Sequence, residues 1–190
     1  FNQLYCRGAI ASLLLKERLK DWASLSDGMF PEIPEGQLQA SYAHWSDIKR
    51  FEERASQCLF HNMRMKTHER CMAKLLRVYN NDVSRLLDIT RCCIVFESVK
   101  KLLECLRAMV GDAAIAIERI KNRLSPEYKA HQTAGYRDVF VNLRLVGAKA
   151  QALGCELHVC EVQLKLMDYA RLKTNATHER YMRARDSRGS

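Results

Sequence analysis

A chain of 190 residues, 47% hydrophobic and 28% charged, is long enough to bury a proper core as one domain. Lys and Arg number 31 against 22 Asp and Glu, a formal charge of +9 with a pI near 9.2. That excess suits an anionic partner (nucleotide, nucleic acid, acidic protein or membrane surface) and equally suits a merely basic exterior. No run approaches the ~20 apolar residues of a membrane span.

The eight cysteines contain no C-x-x-C, and Cys92-Cys93 lies inside an apolar run, where a thiol acts as a small hydrophobe. We read them as reduced and the setting as intracellular, cytoplasm or organelle. The chain opens on Phe1 rather than Met, which fits a fragment or processed form whose targeting segment is not visible.

In chain order, Leu4, Ile10, Leu13, Leu14, Leu19, Trp22 and Ala23 follow a helical period, predicting a first helix over 4–24. Ser24 to Gly28 ends it, and Pro31 and Pro34 stiffen a linker, so residues 1–35 read as an N-terminal helical extension. From Gly36 to Tyr79 the pattern is helical throughout, predicting two helices with a break near Phe60-His61-Asn62. Asn80-Asn81-Asp82 is a turn, and Asp88 to Phe96 is a strand apolar on both faces. Ser98 caps a helix whose core face is Val99, Leu102, Leu103, Leu106, Met109 and Val110, stopped at Gly111. Strands follow at Ala114–Leu124, Gly135–Leu145 and Cys155–Leu164, then a helix over Met167–Arg183 and a tail. The order predicts an α+β domain with a mixed β-sheet of about four to five strands flanked by helices.

The Gly135 strand organises the rest. Val139, Val141, Leu143 and Leu145 share one face, with Asp138, Phe140, Asn142 and Arg144 on the other, the pattern of a half-buried strand with a polar working side. Asp88 opens one strand and Glu161 sits in another. If those strands are neighbours, the two carboxylates can share one Mg²⁺, a hard ion that takes oxygen ligands and keeps phosphates as partners. The competing reading is that each carboxylate pairs with a nearby arginine such as Arg91.

Taken as an ordered set, these residues carry more. Arg64-x-Lys66 with Lys74, then Asp88-x-x-Arg91, Lys121, Gly135-Tyr136-Arg137 and Glu161-Val162-Gln163, followed by His178 and Tyr181, resemble the synthetase domain of RelA/SpoT-like enzymes. Those enzymes are pyrophosphokinases that make the alarmone (p)ppGpp on a nucleotidyltransferase-like fold. The resemblance covers about Arg64 to Tyr181 and places the domain at 36–186, with 187–190 as tail. It implies ATP-phosphate contacts from Arg64, Lys66, Lys74, Arg91 and Lys121, and Mg²⁺ at Asp88 and Glu161, the catalytic pair. It also implies an acceptor site at Tyr136, Arg137, Gln163 and His178, with Tyr136 stacking on the base and His178 near the phosphates. The implied partners are ATP and a nucleotide acceptor, and the basic surface and N-terminal helices suit a protein or RNA partner, with no membrane. The sequence departs from the family pattern at Asn122, Asp138-Val139-Phe140, Lys165 and Arg70. The alternative is the same fold kept as a catalytically inactive binding or structural subunit of a larger assembly.

Two other signals lead elsewhere. Cys58, His61, His68 and Cys71 on one straight helix would spread over ~20 Å and could not meet at one zinc ion; a helix break near His61 would bring them closer, but core and surface placement is the favoured reading. Asn175-Ala176-Thr177 matches a glycosylation sequon by chance inside a predicted helix.

Overall fold

The computed structural model describes residues 1–32, 41–63, 65–133 and 135–172. One mixed sheet runs through it in the order β2-β1-β3-β6-β5-β4. The strands are β1 (Met29–Glu32), β2 (Ser41–His44), β3 (Thr90–Phe96), β4 (Ile115–Asn122), β5 (Val139–Leu145) and β6 (Val159–Leu166). β3 and β6 are parallel, while the β1/β2, β1/β3, β4/β5 and β5/β6 pairs are antiparallel. Six strands replace the four to five expected. The hairpin of β1 and β2 is the addition, lying across the expected linker and the start of the expected helical run. Its strands are four residues each, too short for a period-two signal. Pro31 is tolerated because β1 pairs with β3 only at Met29, leaving the proline outside that ladder.

The helices are α1 (Asn2–Ser26), α2 (Trp45–Ile48), α3 (Glu52–Asn62), α4 (His68–Val78), α5 (Val99–Val110), α6 (Ala148–Ala152) and α7 (Met167–Arg171). The break near Asn62 falls as expected, with α3 and α4 on either side of it. Ser98 caps α5, its hydroxyl accepting from the Lys101 amide at 3.3 Å. The remainder of the helix expected to Arg183 lies outside the described residues.

α1, expected as an extension, packs into the main core. Ala11, Leu15, Leu19, Trp22 and Ala23 are essentially inaccessible and share a cluster with Ile94 and Phe96 of β3 and Leu102, Cys105 and Met109 of α5. At ~25 cal/mol per Å², burying this stripe is a large share of what orders the helix. Trp22 Nε1 donates to Asp112 Oδ2 at 3.0 Å, so its one polar atom is paired as it enters the core.

Cys92, Ile94, Val141, Leu143, Val162 and Leu164 thus line the face covered by α1 and α5. The alternate residues of the same strands point the other way. That second face carries the polar groups.

Candidate functional site

The chain enters this second face through Lys66. Its amide donates to the Ile89 carbonyl at 2.9 Å and its own carbonyl accepts from Tyr5 Oη at 3.2 Å, so its backbone is pinned beside Asp88. Thr67 then caps α4 by accepting from the Arg70 amide, and two turns along that helix stands Lys74. Both ammonium groups reach one carboxylate oxygen: Lys66 Nζ lies 2.8 Å and Lys74 Nζ 2.9 Å from Asp88 Oδ2. Burial alone would raise the Asp88 pKa, but Lys74 and Lys66 outweigh it and hold the carboxyl below its usual range. Asp88 Oδ1 is buried with no hydrogen-bond partner. Asp88 itself precedes β3 by two residues, so it projects from a loop rather than opening the strand.

The sheet register sets the rest. Arg91 of β3 is opposite Glu161 of β6, Glu161 opposite Asn142 of β5, and Asn142 opposite Arg119 of β4. Two residues along, Cys93, Gln163, Phe140 and Lys121 form a second row on the same face. Glu161 is 7% exposed, and burial pushes its pKa up, against the lowering effect of its Gln163 hydrogen bond. Gln163 Nε2 donates to Glu161 Oε1, while Gln163 Oε1 accepts from Tyr136 Oη at 3.2 Å. Tyr136, Gln163 and Glu161 therefore form one chain. Burial raises the Tyr136 pKa, so the phenol is a neutral donor. Burial opposes charge on Lys165, yet Cys93, Tyr136 and Asp138 around it hold its pKa above the ordinary value. Its ammonium lies 5.5 Å from the Tyr136 ring centroid.

Between α4 and this face lies a cleft of about 190 Å³, lined by Lys74, Asp88, Glu161, Lys121 and, further in, Arg119 and Asn142. Tyr79, Arg85, Leu87, Arg123 and Phe140 complete the wall. Asp88 and Glu161, expected to converge, thus share one cleft with Lys74 and Lys121. Lys66 stands behind Asp88, and Arg91 beside Glu161 in register. Among the described residues Asp88 pairs with two lysines rather than with Arg91. Arg137 is placed elsewhere: its Nη1 donates to the carbonyls of Arg123 and Ser125 and ties down the loop between β4 and β5. Arg64, His178 and Tyr181 lie outside the described residues.

Sequence reasoning did not assign Tyr79, Arg85, Arg119, Arg123, Phe140 or Asn142 to the site. Arg119 and Lys121 of β4 and Arg123 just after it alternate at period two, and that cation ladder was the available signal. Tyr79 and Arg85 carried none, because the turn that folds them over Lys74 is visible only in three dimensions. Lys74 Nζ lies 5.0 Å and the Arg85 guanidinium 5.2 Å from the Tyr79 centroid.

Five cations facing two carboxylates make the cleft an anion site with a gap in its positive wall. A hard divalent cation fits that gap on the donor chemistry: one carboxylate oxygen is buried and unpartnered, and the second carboxylate is fixed by Gln163. Among the described residues no three His, Cys, Asp or Glu side chains cluster for a metal, so the other ligands of such an ion would be solvent or phosphate.

No protein-family model matches the chain, and no curated protein matches it in sequence. Solved structures do. The complex of the Type VI effector Tas1 with its immunity protein is similar at a TM-score of 0.50 and 16% identity, over 96% of this chain and 75% of that one. Small alarmone synthetase 1 from Bacillus subtilis, bound to its product pppGpp, is similar at 0.50 and 16%, over 66% of this chain and 61% of that one. The chain therefore spans about three-fifths of the latter's length. At such identity the likeness is one of fold. The chain has the RelA/SpoT-like (p)ppGpp synthetase fold.

Proposed function

We propose that this protein is a Mg²⁺-dependent nucleotide pyrophosphotransferase that uses ATP as donor and the ribose 3′-hydroxyl of a second nucleotide as acceptor. The observation that carries the reading is the convergence of Asp88 and Glu161 on one cleft walled by Lys74, Arg85, Arg119, Lys121 and Arg123. Transfer of a phosphoryl group asks little covalent help of a protein, only alignment and neutralisation of charge. Asp88 and Glu161 would hold Mg²⁺, which would supply neutralisation of the donor's phosphate charge. Lys66 and Lys74 turn from Asp88 towards the phosphates, with Arg64, Arg91 and Lys121 adding positive charge. Tyr136 supports the acceptor base, and Gln163 holds the Glu161 carboxylate in place. Glu161, with a pKa lifted by burial, takes the proton of the 3′-hydroxyl. A bond forms from the 3′-oxygen to the β-phosphorus, the bond to the α,β-bridging oxygen breaks, and AMP leaves.

Incubation with ATP, Mg²⁺ and a panel of guanine and adenine nucleotides tests this. We expect AMP and a 3′-pyrophosphorylated product in equal amounts, and a loss of about 10²–10⁴ in rate for Glu161→Gln. No product from any acceptor, with Glu161→Gln indistinguishable from the unaltered protein, overturns it. One observation favours a second reading, an idle cleft in a binding subunit: Asp88 is already neutralised by two lysines. The solved effector is in complex with an immunity protein, and in this reading a protein partner of this chain would use its basic surface.

A further inference from the structure

The two halves of α1 have different neighbours. From Ala11 to Ala23 the helix fills the main core, whereas Leu4 and Tyr5 pack on a separate cluster of Cys71, Leu75, Leu86 and Ile89. That cluster belongs to α4 and to the segment before β3, the two stretches that bring Lys74 and Asp88 to the cleft. Here the helix closes a ring of hydrogen bonds. Tyr5 Oη donates to the Lys66 carbonyl at 3.2 Å, the Lys66 amide donates to the Ile89 carbonyl at 2.9 Å, and Thr90 Oγ1 donates to the Gly8 carbonyl at 2.8 Å. Tyr5 and Gly8 are three residues apart on one helix face, so a single turn of α1 completes the ring. Lys66 is a member of it and Asp88 adjoins Ile89, and their side chains meet at 2.8 Å.

Neither contact is spare. Residues 65–67 belong to no helix or strand, so the polar groups of Lys66 depend on partners from elsewhere. Among the described residues the other donor to the Lys66 carbonyl is the Cys71 thiol, at 3.7 Å and of a weakly donating kind. The Tyr5 ring is itself held in place, standing edge-on to His68, the first residue of α4, at 6.1 Å between centroids. Gly8 is a buried glycine inside a helix, a position where glycine is normally a loss. A Cβ there would meet Ile89 Cγ2 at 3.0 Å, with His158 Cε1 and Thr90 Oγ1 at 3.1 Å. The missing side chain is what lets the helix come down on the chain next to Asp88.

We propose that Tyr5, seated by the close approach at Gly8, is a positioning residue for the donor side of the cleft: it fixes the Lys66 backbone so that Lys66 and Asp88 keep their mutual geometry. The word donor rests on the pyrophosphotransferase reading, whereas the placement of Lys66 against Asp88 does not. Three variants test it. Tyr5→Phe keeps the ring and removes one hydrogen bond, Gly8→Ala lifts the helix from Ile89, and Leu19→Ala weakens the other half of the same helix. Amide hydrogen exchange by NMR in the ligand-free protein reads the placement directly. In Tyr5→Phe and Gly8→Ala the Lys66 amide should exchange about tenfold faster relative to the amides of β5 and β6, while Leu19→Ala should move all of them together. Calorimetric titration of a non-hydrolysable ATP analogue with Mg²⁺ should weaken about tenfold in the first two variants. It should stay within about twofold in Leu19→Ala, which lies in a different cluster from Lys66. In turnover KM for ATP should rise by a similar factor with KM for the acceptor unmoved, a split that general loosening of the fold does not produce. Unchanged exchange at Lys66 in Tyr5→Phe overturns the proposal whatever the nucleotide does. Faster exchange with unaltered analogue binding also overturns it, and so does an equal loss of binding in Leu19→Ala. If the unaltered protein shows neither analogue binding nor turnover, the pyrophosphotransferase reading falls and the Lys66 exchange alone decides the positioning role.

Discussion

Gln163 links Glu161 of the cleft to Tyr136, donating to the first and accepting from the second. Gln163→Leu keeps the bulk and removes both bonds, leaving Glu161 buried without its fixed donor. We expect kcat to fall about 10–100-fold, the scale on which groups that orient a ligand or base act. Circular dichroism should be unchanged, while the melting temperature falls modestly because a buried carboxylate loses its donor, about 1–3 kcal/mol. A kcat within twofold of the unaltered protein would show that Glu161 holds its geometry without help. Asp88 presents the opposite case, a carboxylate whose two lysines keep it ionised down to low pH.

At the scale of elements, the N-terminal helix is structural. Leu19 of α1 is fully buried in the same cluster as β3 and α5. Leu19→Ala should cost about 2–5 kcal/mol by chemical denaturation, from lost transfer energy and the cavity left behind. A cost under about 1 kcal/mol would mean that α1 is an appendage after all. The helix was legible in the sequence from its period, but not its place. A stripe such as Leu15, Leu19 and Trp22 says that a face is buried and is silent about which surface buries it. The central strands were legible because β5 alternates and β3 is apolar on both sides. The hairpin of β1 and β2 was not, since Tyr42, Trp45 and Ile48 mimic a helical spacing while belonging to a strand end and one short helical turn. That Asp88, Glu161, Lys66 and Lys74 come together was legible from their order and type. Arg123 was not, because its place at the cleft depends on the register between β4 and β5.

For the molecule as a whole, one buried histidine ties α1 to the sheet and sets a pH dependence. Thr90 Oγ1 donates to the Gly8 carbonyl at 2.8 Å, so it must accept from His158 Nε2 at 3.0 Å, which leaves Nδ1 as a buried, unpartnered acceptor. Burial, with Arg7 nearby, lowers the His158 pKa from 6.5 to about 4. Between those values the unfolded chain binds a proton that the fold refuses. Stability is therefore full above about pH 6.5 and declines as pH falls towards 4, by up to about 3 kcal/mol from this residue. Denaturant midpoints measured from pH 7 to pH 4.5 should fall in the unaltered protein. His158→Gln should be less stable at pH 7 but lose less on acidification. An equal acid slope in both would remove the histidine from the balance.

Long-range charge acts at this scale too. With five cations against two carboxylates, nucleotide affinity should weaken as salt rises. The same cleft decides the central question, whether Asp88 and Glu161 act together on a metal-bound triphosphate. Titration of a non-hydrolysable ATP analogue, with Mg²⁺ and then with a chelator, measures this directly. We expect binding that requires Mg²⁺, raises the melting temperature, and is lost on Asp88→Asn with Glu161→Gln. Binding of equal strength in chelator and in that double variant, or no binding at millimolar analogue, contradicts it.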